Sequence, residues 1–61
     1  MIPREEIERL LAALASDPNA ATVTREGDGT CTVHDHTTGR RYVTSWDQAL
    51  RIRAAGAIYF G

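Results

Sequence analysis

At 61 residues the chain makes one domain at most, spanning 1–61, and such a length buries only about 60% of the surface its unfolded form exposes, leaving little for a deep catalytic cleft. A formal net charge of −1, with every basic residue an arginine, excludes a strongly basic domain and any global pull toward nucleic acid or membrane. The lone Cys31 excludes an internal disulfide or a cysteine knuckle and points to a reduced compartment.

Pro3 sits where a helix begins, and Glu5 and Glu6 follow in the turn where carboxylates complement the helix dipole. Ile7, Leu10, Leu11 and Leu14 then recur at helical spacing, so a first helix is expected from about Pro3 to about Ala15, stopped by Asp17-Pro18-Asn19. Three alternating runs come next, at Thr22–Arg25, Thr30–His36 and Arg40–Thr44, separated by Glu26-Gly27-Asp28-Gly29 and Thr37-Thr38-Gly39. Alternation places Ala21, Val23, Cys31, Val33 and Val43 inside. The opposite, polar face then takes Thr22, Thr24, Thr30, Thr32, His34, His36, Tyr42 and Thr44. Ser45 and Gln48 stand at capping-box spacing before a second helix, whose Trp46, Ala49, Leu50 and Ala54 are expected to meet the sheet. Arg51 and Arg53 suit its carboxyl end, and Gly56 suits a left-handed cap. The apolar Ile58-Tyr59-Phe60 either returns as a short strand or is offered to a partner.

The order α-β-β-β-α predicts an α+β fold: a three-stranded antiparallel meander with both helices on one face. The same order of elements occurs in double-stranded-RNA-binding domains and in small ribonuclease toxins, a similarity of topology alone. The basic loop and helix end that those RNA-binding modules lay on phosphates have no counterpart in this chain.

Candidate chemistry is sparse. His34 and His36 share a strand face in a His-x-His pattern, yet the sequence offers no third ligand there, so no metal and no cofactor are expected. The same pair with Arg40, Arg41 and Tyr42 could serve a ribonuclease-like toxin, but no nucleophile motif accompanies them, and the chain is read as a non-enzyme. Arg25, Arg40, Arg41, Tyr42, His34 and His36 are the candidates for a sheet-face nucleic-acid binder, with Arg40 and Tyr42 together on the open face. The bland alternative pairs Arg40 and Arg41 with Asp35 or Glu26 across strands. Tyr42, Ile58, Tyr59 and Phe60 are the candidates for a protein interface, including a homodimer.

The leading expectation is therefore a small non-catalytic binding module with a protein partner, ahead of nucleic acid. The all-arginine basic set and nine alanines read as the coding bias of a GC-rich genome. Together with the size, they suit a phage- or plasmid-type accessory protein acting on a host protein. Met1-Ile2-Pro3-Arg4 opens no signal peptide, and no apolar run nears the ~20 residues of a membrane span, so a cytoplasmic location is expected.

Overall fold

In the computed structural model, which describes residues 1–61, Pro3 caps a helix, α1, over Arg4–Ser16, one position later at each end than the spacing suggests. The Asp17 carboxylate accepts from the Asn19 N–H at 2.9 Å in a turn that follows it. The sheet comprises β1 (Ala21–Arg25), β2 (Thr30–Asp35), β3 (Arg40–Ser45) and β4 (Ile58–Phe60), with α2 (Trp46–Ala54) between β3 and β4. Its order is β3-β2-β1-β4: the meander is antiparallel, and β4 adds parallel to β1.

Both helices lie on one face of this sheet. Leu10 and Leu14 of α1 and Ala49 and Ile52 of α2 are buried with Val23, Cys31 and Val33 in one core. Ser45 caps α2 by accepting from the Gln48 N–H at 3.4 Å, and Asp47 in the first turn and Arg51 and Arg53 in the last complement the dipole. The face α2 buries matches expectation at Ala49 and at half-buried Trp46 and departs from it elsewhere. Ala49 and Ile52 point into the sheet, while Leu50 is 42% exposed and Ala54 is exposed.

The third strand also corrects the sequence reading. Asp35 pairs with Arg40 across the Gly39 turn, so Cα partners run Val33↔Tyr42, Thr32↔Val43 and Cys31↔Thr44. Cross-strand partners share a face. Tyr42 and Thr44 therefore join Val33 and Cys31 beneath the helices, and Val43 stands outside at 58% exposure. Placing Val43 inside follows hydrophobicity, but the loop length sets the register and a one-residue difference flips every side chain.

The tail is a strand, as one of the two expectations had it. Ile58 and Phe60 lie beside Thr22 and Thr24 on the open face, and Tyr59 turns under the sheet. No helix is long and apolar enough to cross a membrane.

Candidate functional site

The face of the sheet opposite the helices is uncovered. The register composes it of two rows, Arg41–His34–Thr22–Ile58 and Val43–Thr32–Thr24–Phe60. Its centre is polar and its margins apolar: Ile58 is 40% exposed, and Val43 and Phe60 are each 58% exposed. A shallow concavity of about 500 Å3 crosses it, lined by Thr22, Thr24, Glu26, Thr32, His34, His36, Arg41 and Phe60.

Within this concavity β2 ends at Asp35, and His36, whose N–H donates to the Ala20 carbonyl at 2.9 Å, brings its ring centroid to 4.2 Å from that of His34. His36 Nε2 meets Thr22 Oγ1 at 2.6 Å. Partial burial lowers the His34 pKa below the ordinary histidine value, with His36 and Arg41 adding to the effect, which favours a neutral ring. No third His, Cys, Asp or Glu joins the pair. Glu26 accepts from the Thr32 hydroxyl at 2.9 Å and is occupied within the face.

Asp35 is fully buried on the helix side, bonded by the Thr37 N–H at 2.9 Å, the Thr37 hydroxyl at 2.6 Å and the Thr38 hydroxyl at 3.0 Å. Arg9 of α1 adds an ion pair and also bridges to Glu6. Burial alone would push the carboxyl up, but the Thr37 and Thr38 bonds and the Arg9 charge outweigh it and hold its pKa down at about 2. This network is structural: it ties α1 to the β2–β3 turn. The Asp-x-Thr spacing, repeated where Asp28 accepts from the Thr30 N–H at 3.1 Å, is the sequence signal for such turns.

The two bland cross-strand pairings do not form. Arg9 takes Asp35, Thr32 takes Glu26, and neither Arg40 nor Arg41 makes an ion pair. Nor does the structure gather the nominated arginines. Arg41 is on the open face beside the histidines. Arg40 shares the helix side of β3 with Tyr42, whose hydroxyl donates to Glu6 at 2.6 Å; that bond raises the Tyr42 pKa. Tyr42 is thus committed to α1, not offered with Arg40 to a ligand on the open face. Arg51 lines a separate concavity with Arg4 between α1 and α2.

Arg25 and Arg53 meet around two aromatic rings that sequence reasoning had separated. The Arg25 guanidinium stands 5.2 Å from the Trp46 ring and that of Arg53 3.9 Å from the Tyr59 ring, with Trp46 and Tyr59 5.8 Å apart. The i, i+7 spacing of Trp46 and Arg53 carries part of this signal; the parallel return of β4, which delivers Tyr59, leaves no local trace. No known protein family, characterised protein or solved structure matches this chain.

Proposed function

We propose that this chain is a non-catalytic binding module that presents the uncovered face of its sheet to a protein partner. One observation carries the reading. Of the five exposed large hydrophobic side chains, three (Val43, Ile58 and Phe60) stand on that one face, at the margins of a Thr/His centre. An apolar margin around hydrogen-bonding groups suits a protein surface, which supplies both apolar contact and backbone or hydroxyl partners.

Nucleic acid is the second reading, favoured by Arg41 beside His34 and His36 in the concavity. Against it, the remaining arginines lie at other places on the molecule, and phosphate binding gains from neutralising several charges together. Ribonuclease chemistry ranks third: an acid and a base must straddle the scissile phosphate, and two rings 4.2 Å apart stand on the same side of it. Size and coding bias support the setting of a phage- or plasmid-type accessory protein acting on a host protein in the cytoplasm.

The test is affinity capture from a lysate of the source organism with and without nuclease. It uses the wild type, a Val43→Thr/Phe60→Thr variant, and Leu50→Thr as an exposed control on α2. The expected result is one protein retained through nuclease treatment and by the Leu50 control, and lost with the face variant. Capture that vanishes with nuclease turns the reading to nucleic acid. Capture indifferent to the face variant removes the face from consideration.

A further inference from the structure

We infer that the outer edge of β3 pairs with the same edge of a second copy of this chain, joining two four-stranded sheets into one continuous sheet with its two-fold axis at Val43. β3 is an outermost strand of six residues, Arg40–Ser45. It pairs with β2 at every position without a bulge and contains neither proline nor glycine. None of the backbone–backbone hydrogen bonds outside the helices and ladders involves it, and of its N–H groups only that of Arg40, at its start, donates to a side chain, Thr38 Oγ1 at 3.3 Å. Edges of this length are ordinarily blunted by shortness, charged side chains, proline, a bulge or a covering segment. The opposite edge, β4, has the first of these protections, being three residues long. β3 has only the charges of Arg40 and Arg41, both at its start, and its stretch Tyr42–Ser45 carries none of these protections.

Self-complementarity selects the occupant and the register. A two-fold axis perpendicular to the sheet pairs antiparallel residues that lie on the same face, so each register is centred on one residue of β3. Centring on Arg41 sets two like charges opposite one another. Centring on Tyr42 sets Arg41 against Val43. Centring on Val43 instead brings the two exposed valines together, sets Arg41 opposite Ser45 of the second copy and sets Tyr42 opposite its Thr44. Arg40 then lies just beyond the paired run, toward the first turn of the second copy's α2, where Asp47 sits. The basic residues of β3 are at its start and the nearest acid follows its end, so antiparallel pairing opposes unlike ends.

Area points the same way. Strands about 4.8 Å apart and residues rising about 3.3 Å give the open face a footprint of roughly 320 Å2, against ~800 Å2 per partner in a standard interface. Doubling the sheet through β3 brings the face to roughly 640 Å2, most of the way to that size. Only this gain in size rests on the proposed partner; the edge and its register do not, so either can fail without the other.

The experiment is sedimentation equilibrium of the full chain from about 10 µM to about 1 mM, with hydrogen exchange read at the β3 amides. The mass should rise from 6.7 kDa toward twice that value. Exchange at alternate β3 amides should slow with concentration. Val43→Lys places two ammonium groups on the axis and should raise the half-dimer concentration by about tenfold or more, whereas Phe60→Lys, at the far edge, should leave it unchanged. A wild-type mass that stays at one chain up to about 1 mM overturns the proposal. So does a dimer that survives Val43→Lys, or one that only Phe60→Lys dissolves. If Val43→Lys fails to fold, the wild-type exchange decides: β3 protection independent of concentration refutes the pairing.

Discussion

Asp35 shows how a fully buried charge is kept without a fully buried partner. Its acceptor sites are filled by two threonines of its own turn and by Arg9, whose side chain remains half in solvent. The folded carboxyl titrates at about 2, below the ~3.9 of an unfolded aspartate, so its stabilisation is present above about pH 4 and is lost as pH falls toward 2. The shift corresponds to roughly 2–3 kcal/mol. Asp35→Asn should lower stability by about that amount at neutral pH and flatten the acid limb between about pH 4 and pH 2. Chemical denaturation across that range measures both; an unchanged acid limb would assign acid sensitivity to other carboxylates. Thr44 presents the opposite case. It is 4% exposed and its Oγ1 has no hydrogen-bond partner. Thr44→Val keeps the branched shape and removes the unpaired hydroxyl, so it should raise stability by about 1 kcal/mol, visible as a higher denaturation midpoint at unchanged m-value.

At the scale of elements, the segment that the sequence reads least clearly, β4, has a divided role. Tyr59 packs against Trp46 beneath the sheet and carries Arg53 on its ring, whereas Ile58 and Phe60 stand on the open face. Tyr59→Ala should therefore cost about 1–2 kcal/mol, and Phe60→Ala, at an exposed position, less than about 0.5. Equal losses for the two would mean that β4 does not hold the parallel register with β1. The helices and the meander are legible in the residues because each announces itself locally, through the Ile7/Leu10/Leu14 stripe, the Ser45 cap and the glycine turns. The face of β3 is not legible that way. A single valine among Arg40, Arg41, Tyr42 and Thr44 suggests one alternation, and the pairing of Asp35 with Arg40 imposes the other. The open face inherits the difference: it gains Val43 and Arg41 and loses Tyr42 and Arg40. His34 and His36 keep their expected side because their run alternates without ambiguity, whereas the side taken by Ile58 and Phe60 follows from the parallel pairing of β4 with β1.

Across the whole molecule, charge is distributed in a way that separates the two binding readings. Of the seven basic residues, Arg9 alone is consumed in ion pairs. The others are dispersed: Arg41 on the open face, Arg40 at the β3 edge, Arg25 and Arg53 at the aromatic pair, Arg4 and Arg51 between the helices. A strand of nucleic acid crossing the open face would meet Arg41 and two histidines, one of which is biased toward its neutral form. Contact that depended on phosphates would be weak and steeply salt-dependent, because each neutralised phosphate releases counterions. Contact that depends on Val43, Ile58 and Phe60 is driven by removal of apolar area from water and is little affected by moderate salt. Complex formation is therefore expected to persist between about 50 and about 200 mM salt, falling less than about threefold. Val43→Thr/Phe60→Thr should weaken it by about tenfold or more, and Arg41→Gln should mainly slow association. Titration calorimetry of the captured partner at two salt concentrations provides the measurement. A loss of ten- to a hundredfold over that salt range, with the face variant indistinguishable from wild type, would place the recognition on charge and return the chain to the nucleic-acid reading.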